Sequence, residues 1–169
     1  MLFENLLADL INAVPDGEVG ELLVNGASAA NCYWNQRDKS RRTFEGEWTR
    51  TGDKYTRDAA GRFVYCGRTD DMFKVSGIWV APFEVEQALG AHPRVLESAV
   101  VPKMDEEGLE KPRAFVVLKE GVGDDALREE LKNLVQTRAG KWKYPRWVEF
   151  VDDLPKTATG KIQRFKLRV

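Results

Sequence analysis

The periodic apolar residues between Asp124 and Gly140 constrain the fold of this chain more than any other feature of its sequence. Asp124 and Asp125 are good helix-capping residues, and Gly140 is a residue type that commonly ends a helix. Between them lie apolar residues whose spacing puts them on one helical face: Leu127, Leu131, Leu134 and Val135. This segment is therefore predicted to form an amphipathic helix that packs on a core.

The signals before and after this helix are those of a small α+β domain. Pro82 can occupy a first helical turn, with Val85 and Leu89 four residues apart on one face, which predicts a helix over about 82–91. Runs of β-branched and apolar residues predict three strands: 95–101, 113–119 and 146–151. From residue 67 onward the order is helix, two strands, helix and strand, which indicates one sheet with packed helices.

The first third of the chain is predicted to be rich in β-structure. Met1–Ala13 has helical spacing but runs into a strong turn signal at Val14–Gly17, so it is interpreted as a lead-in rather than a domain. The strand candidates are residues 21–24, 48–55 and 62–66. Asp58–Gly61 lies between the last two, where a glycine permits a tight turn, so these two strands are predicted to form a hairpin.

Charge and apolar content exclude several classes of partner. The chain of 169 residues has 26 Lys and Arg against 27 Asp and Glu, so its net charge of −1 provides no long-range field for nucleic acid. No apolar run approaches the roughly 20 residues that cross a bilayer, so we expect a cytoplasmic protein without membrane association. Cys32 and Cys66 are predicted to be buried free thiols, and no ligand cluster predicts a metal site.

Asp153–Ile162 is the segment with the most chemical character. It joins a proline, small hydroxylated residues and a glycine directly to Lys161, which predicts a flexible loop that presents an ammonium group. A lysine is a compact charge on a long stem, suited to a site where negative charge develops on phosphate or carboxylate oxygens. On composition alone, a solvated tail with an ordinary exposed lysine remains the alternative.

Three ordered motifs resemble those of the adenylate-forming superfamily, which includes acyl-CoA synthetases, peptide-synthetase adenylation domains and luciferases. The first is Thr51-Gly52-Asp53, and the second runs from Gly67-Arg68-Thr69-Asp70-Asp71 to Gly77, with Pro82 and Glu84-Val85-Glu86 beyond it. The third is Lys156-Thr157 followed by Thr159-Gly160-Lys161-Ile162. The resemblance covers about residues 17–166.

This resemblance implies a domain organisation. Residues 1–69 would be the β-rich end of a large N-terminal domain, and residues 70–169 a mobile C-terminal domain of the acyl-CoA synthetase fold, with a mixed sheet and packed helices. The hinge would be Asp70, where a change of backbone torsions lets the small domain swing between two arrangements. A turn aspartate is the alternative interpretation of that residue.

The resemblance also assigns roles to individual residues. Lys161 would be catalytic, Asp53 would accept the ribose hydroxyls of the nucleotide, and Arg68 would contact its ribose or phosphate. A turn or cap for Asp53, and a surface ion pair with Asp70 or Asp71 for Arg68, are the alternatives. The implied coenzyme A channel consists of Lys74, Val75, Ser76, Gly77 and Trp79, of which Trp79 could equally be a core residue.

The reaction implied by the family has two steps. A carboxylate attacks the α-phosphate of Mg-ATP to give an acyl-adenylate, and the thiol of coenzyme A then captures the acyl group. Lys161 would orient and stabilise the charged oxygens of the first step, and the Lys74–Gly77 segment would enter for the second. Mg²⁺ would be held largely by the substrate phosphates, so no metal-binding residue is expected here.

The remaining expectations concern substrate, partners and completeness. The family's Ser/Thr/Gly-rich phosphate loop and an acyl pocket have no counterpart in the sequence, so the chain alone is expected to be inactive without the N-terminal domain. Segments that include Tyr33-Trp34-Asn35, Lys39-Ser40-Arg41 and Gly46-Glu47-Trp48 resemble those of benzoate–coenzyme A ligases, which implies benzoate or a related aryl acid as the substrate. For the aromatic residues themselves, core packing is the simpler role: Tyr33, Trp34, Phe44 and Trp48. An adenylation fragment serving a carrier protein and a non-catalytic nucleotide-binding or interaction module remain alternatives. A protein acetyltransferase acting on Lys161 is a further hypothetical partner.

Overall fold

A computed structural model of the chain describes residues 14–168, and the helical spacing at Met1–Ala13 lies outside them. The chain divides into two compact units, one ending at Asp70 and the other beginning at Asp71. None of the helices in the described part is long and apolar enough to cross a membrane.

The first unit is a four-stranded antiparallel sheet with one short helix. Its elements are β1 (Val19–Val24), α1 (Arg37–Thr43), β2 (Phe44–Glu45), β3 (Trp48–Arg57) and β4 (Phe63–Arg68). The long strand β3 pairs with each of the other three. The predicted β3–β4 hairpin is confirmed, because the Asp58 carboxylate accepts hydrogen bonds from the amides of Ala60 and Arg62 and Gly61 adopts a φ of +76°. The bond from the Arg62 amide is the main cause of the lowered pKa of Asp58.

Little of the first unit is buried. Within residues 14–70, Cys66 is the one apolar side chain with less than a tenth of its surface exposed. A sheet of this size normally buries one face against another layer. The described part of the first unit therefore has no apolar core of its own.

The second unit combines a hairpin, a three-stranded sheet and two helices. In chain order they are β5 (Phe73–Val75), β6 (Ile78–Val80), α2 (Pro82–Gly90), β7 (Val95–Met104), β8 (Glu110–Leu118), α3 (Asp125–Ala139) and β9 (Trp147–Phe150). The sheet order is β7-β8-β9, with β7 and β8 antiparallel and β8 and β9 parallel. This mixed sheet with packed helices confirms the predicted α+β class.

The central strands β7 and β8 are apolar on both faces because both faces are covered. Helices α2 and α3 pack with one face, in a cluster that includes Val85, Leu131 and Val100. The C-terminal segment packs with the other face, where Leu154 joins Ala99, Val101, Phe115 and Val117, and Ile162 lies against them. Double-sided burial explains why these strands read as continuous apolar runs rather than as an alternating pattern. It also fixes the segment that carries Lys161.

Helix α3 follows its sequence signals closely. The Asp124 side chain accepts a hydrogen bond from the Leu127 amide at 2.8 Å, which caps the first turn. The buried residues Leu127, Leu131 and Val135 form the predicted apolar face. Gly140 ends the helix with a φ of +105°.

The structure differs from the sequence analysis in three places. Helix α1 was not predicted, because its residues 37–43 contain no apolar periodicity. The Lys74–Gly77 segment, for which the sequence analysis gave no strand, lies in the β5–β6 hairpin. The prediction of two buried thiols is right for Cys66 and wrong for Cys32, which is exposed; both are free.

A paired arginine and glutamate join the sheet strands β8 and β9. Arg113 donates from Nε and Nη2 to the two carboxylate oxygens of Glu149, at 2.7 and 2.9 Å. This hydrogen bonding is the largest cause of the lowered pKa of Glu149. The pair lies within the sheet and does not involve the Lys161 segment.

Candidate functional site

The structure brings Asp53 and Arg68 together in the first unit. They are direct partners across the antiparallel strands β3 and β4. Arg68 Nη1 donates to Asp53 Oδ1 at 2.8 Å, and both side chains remain partly exposed. The pair therefore presents a guanidinium and a carboxylate side by side, the donor and acceptor types that a ribose and a phosphate need.

A bulge in β3 determines how Asp53 is presented. Lys54 pairs with Glu21 and Arg50 pairs with Leu23, so residues 51–53 stand opposite the single residue Leu22. Thr51 Oγ1 donates to the Leu22 carbonyl at 2.8 Å and accepts from the Asp53 amide at 3.1 Å. β-Bulges commonly change the direction of a side chain or end the pairing of two strands, and they are frequent next to active sites. The threonine thus orients the backbone from which the carboxylate projects.

Gly52 makes room for the arginine. It adopts a φ of +73°, and a Cβ placed on it would lie 2.7 Å from Arg68 Nη2. A side chain at this position would be strained by the backbone and would also push against the guanidinium. The positive φ and the close approach of Arg68 together explain why a glycine stands between Thr51 and Asp53.

The predicted channel residues lie on the β5–β6 hairpin of the second unit. Ser76 and Gly77 form its two-residue turn, with φ of +50° and +85°, as a type I′ turn requires. Lys74 pairs directly with Trp79 across the strands, and its ammonium lies 4.8 Å from the centre of the indole ring. Val75 is buried and holds the hairpin to the core.

Trp79 is 55% exposed, so the interpretation of this aromatic as a core residue is wrong. Its ring and the Lys74 ammonium together give the hairpin an exposed surface with both an apolar and a cationic part. The aromatics that resemble benzoate–coenzyme A ligases also divide: Tyr33 packs on Phe44 with ring centres 5.4 Å apart, whereas Trp34 is 94% exposed. Core packing is therefore not the role of Trp34 within the described residues.

Lys161 lies in an ordered turn rather than in a loop without structure. The turn is closed by a bridge between Lys156 and Ile162. The Thr157 amide donates to the Lys161 carbonyl at 2.9 Å, the Gly160 amide donates to the Thr157 carbonyl at 2.9 Å, and the Lys161 amide donates to Thr157 Oγ1 at 3.1 Å. The backbone that carries the lysine is therefore fixed, while the side chain is exposed.

The two lysines of this turn differ in their partners. Lys156 Nζ lies 2.6 Å from Glu97 Oε1 and 3.2 Å from Asp153 Oδ1, and the hydrogen bond to Glu97 is the main reason that the pKa of Lys156 is raised. The Lys161 ammonium has no hydrogen bond or ion pair with any residue of 14–168. Lys156 therefore has a structural role, whereas the ammonium of Lys161 is available to a ligand.

Asp70 lies in a short 3-10 turn, Thr69–Asp71, at the boundary between the two units. Its neighbour Asp71 is bound by two arginines of the C-terminal segment, Arg164 at 3.2 Å and Arg168 at 2.9 Å. Sequence reasoning missed these contacts, because the partners are more than ninety residues apart. Only the unusual density of basic residues after Lys161 could have signalled them.

No group of three or more His, Cys, Asp or Glu side chains within residues 14–168 is arranged to hold a metal ion. The carboxylate of Asp53 is engaged by Arg68, and those of Asp71 and Glu86 are engaged by Arg164.

Comparison with known proteins gives consistent matches to one group of ligases. The family model described as the AMP-binding enzyme C-terminal domain matches residues 84–161. The 4-hydroxybenzoate–CoA/benzoate–CoA ligase of Rhodopseudomonas palustris is 60% identical over 165 residues, which is 96% of this chain and 31% of that protein. The benzoate–CoA ligase of Thauera aromatica is 61% identical over 153 residues, which is 90% of this chain and 29% of that protein.

A solved structure matches over the same span. The crystal structure of the anthranilate CoA ligase AuaEII in complex with anthranoyl-AMP superposes with a TM-score of 0.89 at 50% identity, covering 96% of this chain and 32% of that one. The chain therefore spans about a third of the length of the proteins it matches.

Proposed function

The chain belongs to the adenylate-forming superfamily, and from that membership we propose that it is the C-terminal part of an ATP-dependent aryl acid–coenzyme A ligase. The substrate acid is benzoate or a close relative. The proposal of an aryl acid is supported by relatives near 60% identity that are named as benzoate–CoA ligases.

The observation that carries the proposal is the contrast between Lys161 and its surroundings. An ordered turn holds the backbone, yet the ammonium has no partner among residues 14–168. In a structural lysine the ammonium is satisfied, as it is in Lys156. A cation that is carried on a fixed backbone and is not engaged by neighbouring side chains can stabilise charge that develops during a reaction.

In the first step, a carboxylate oxygen of the acid attacks the α-phosphorus of ATP, and pyrophosphate leaves. Lys161 bridges the attacking carboxylate and the α-phosphate oxygens, which aligns them and offsets their mutual repulsion. Asp53 accepts hydrogen bonds from the ribose hydroxyls, and Arg68 donates to ribose or phosphate oxygens. Magnesium, which would neutralise phosphate charge when bound, would be held by the phosphates themselves.

In the second step, the thiolate of coenzyme A attacks the acyl carbon, and AMP leaves. Lys161 withdraws, and the β5–β6 hairpin enters with Lys74, Trp79 and the turn Ser76-Gly77. Gly77 has open space where a Cβ would be, so a pantetheine chain can pass close to the backbone. Rotation at Asp70 exchanges the two sets of residues.

The division into a remnant of a large domain and a mobile small domain is part of the same proposal. The second unit has two apolar clusters of its own, whereas residues 14–70 bury almost no apolar side chain. A sheet without a core is in keeping with membership of a larger domain. The free cysteines are in keeping with a cytoplasmic location.

The experiment that tests this function is a chimera in which the chain replaces the matching segment of the Rhodopseudomonas palustris ligase. We expect benzoate-dependent ATP–pyrophosphate exchange and formation of benzoyl-CoA. Circular dichroism and ATP binding establish that the chimera is folded. Exchange without benzoyl-CoA would favour transfer to a carrier protein, and a folded, ATP-binding chimera without exchange would favour a non-catalytic module; either result would overturn the proposal.

We further propose that acetylation of Lys161 switches the first step off. The exposed side chain is accessible, and acetylation removes the charge that the step uses. Treating the chimera with a protein acetyltransferase and acetyl-CoA should abolish exchange in proportion to the Lys161 acetylation found by mass spectrometry. Full modification with undiminished exchange would contradict this.

A further inference from the structure

A cluster of four charged side chains binds the segment after Lys161 to two distant parts of the second unit. Arg164 donates from Nε and Nη2 to the two carboxylate oxygens of Glu86 on helix α2, at 3.0 and 2.7 Å. Its Nη1 donates to Asp71 Oδ2 at 3.2 Å, and Arg168 donates to the other Asp71 oxygen at 2.9 Å. Asp71 and Glu86 stand in the second motif, but neither the residue roles that the resemblance implies nor the proposed chemistry uses these contacts.

The side chains of this cluster are held more rigidly than those of an ordinary surface ion pair. Glu86 Oε1 also accepts a hydrogen bond from the Val100 amide of β7 at 2.8 Å. The side chains of Glu86 and Asp71 are 11% and 20% exposed, and that of Arg164 is 22% exposed. A forked guanidinium that contacts two partly buried carboxylates is held in one orientation, and its loss leaves charge without compensation.

The position of the cluster in the chain connects it with Lys161. Arg164 is three residues after Lys161, and Ile162 between them packs on the sheet. Asp71 directly follows Asp70, the proposed hinge. The turn that carries Lys161 is thus held by ion pairs on both sides, one made by Lys156 before it and the others by Arg164 after it. The ion pair of Arg164 with Asp71 reaches the first residue after the proposed hinge.

We propose that Arg164 is a positioning residue for acyl-adenylate formation, an inference that rests on the function proposed above. Through Glu86 and Asp71 it makes the Lys161 turn rigid with the chain that leaves Asp70. A rotation at Asp70 then delivers the ammonium to the same place each time. The second step does not use Lys161 and is insensitive to Arg164.

The test compares Arg164→Gln with Arg113→Gln in the chimera. Arg113 forms an equally forked pair with Glu149, but within the sheet, so it controls for loss of an ion pair as such. We expect Arg164→Gln to lower kcat for adenylation about 10- to 100-fold through misplacement of the lysine, with the KM for ATP little changed. Formation of benzoyl-CoA from preformed benzoyl-AMP should be unchanged, and Arg164→Lys should restore part of the adenylation rate.

A second readout does not depend on activity. In the 169-residue chain itself, hydrogen exchange at the Gly160 and Lys161 amides should be faster in Arg164→Gln than in Arg113→Gln. If Arg164→Gln does not fold, Glu86→Gln replaces it, because the amide oxygen can still accept from Val100.

Three results would overturn the inference. They are unchanged exchange at these amides, an equal fall in both half-reactions, and an equal loss of adenylation in Arg113→Gln. If Lys161→Ala leaves adenylation intact, the proposed function fails instead, and the exchange data alone decide whether Arg164 fastens the turn.

Discussion

Lys161→Ala is expected to slow benzoyl-adenylate formation in the chimera by about 100- to 1,000-fold, the usual cost of removing one preorganised group that stabilises transition-state charge. The structure supports a large effect, because no other cation of the Lys156–Ile162 turn is unengaged: Lys156 is bound to Glu97 and Asp153. Stopped-flow measurement of pyrophosphate release gives the rate of this step directly.

The second half-reaction is the internal control for this variant. Benzoyl-AMP supplied to Lys161→Ala should yield benzoyl-CoA at nearly the parental rate, since the lysine is absent from that arrangement. Lys141→Ala removes an exposed lysine of the same unit and should leave both steps unchanged. Adenylate formation at an undiminished rate in Lys161→Ala would mean that another group supplies the charge.

Asp53→Ala is expected to weaken both half-reactions, by about 100-fold in kcat/KM for ATP in the first and for benzoyl-AMP in the second, because two charge-assisted hydrogen bonds to the ribose are lost. The nucleotide is present in both steps, so this variant differs from Lys161→Ala by failing also with preformed benzoyl-AMP. Asp53→Asn retains one acceptor oxygen, so its kcat/KM should lie between the values of Asp53→Ala and of the unsubstituted chimera.

Controls for Asp53 come from the first unit itself. Asp38→Ala removes an exposed aspartate of helix α1 and should have no effect on the KM for ATP. Because Arg68 is bonded to Asp53, the double variant Asp53→Ala with Arg68→Ala should lose less than the sum of the single variants. Strict additivity of the two losses would show that the pair does not act as a unit.

The regular elements were predictable where local sequence alone determines them. Helix α3 has a cap, an apolar face and a terminal glycine within one segment, so its boundaries follow from short-range rules. The strands β5 and β6 were missed because three residues are too few to show an alternation. Helix α1 was missed because its sequence is polar throughout.

The candidate site also has a part that can be predicted from local sequence and a part that cannot. Asp53, Arg68, Lys74 and Lys161 stand in motifs that can be read along the chain. The structure adds the pairing of Asp53 with Arg68 and of Lys74 with Trp79, and it leaves the Lys161 ammonium without a partner among residues 14–168. The binding of Arg164 to Glu86 and Asp71 joins residues 78 and 93 positions apart, so it exists only in the folded unit. Whether a side chain is exposed also depends on residues that are distant in the sequence. The expectation that Trp34 and Cys32 are buried was wrong for this reason.

The long span between Asp71 and its two arginines also bears on the order of folding. Closing a loop of more than ninety residues costs more chain entropy than closing the hairpin of β7 and β8, whose partners Met104 and Glu110 are six residues apart. A refolding chain can therefore complete the hairpin while residues 164–168 still move freely. We therefore expect the turn that carries Lys161 to gain its contacts through Arg164 late in refolding, after helix α2 and strand β7 have formed.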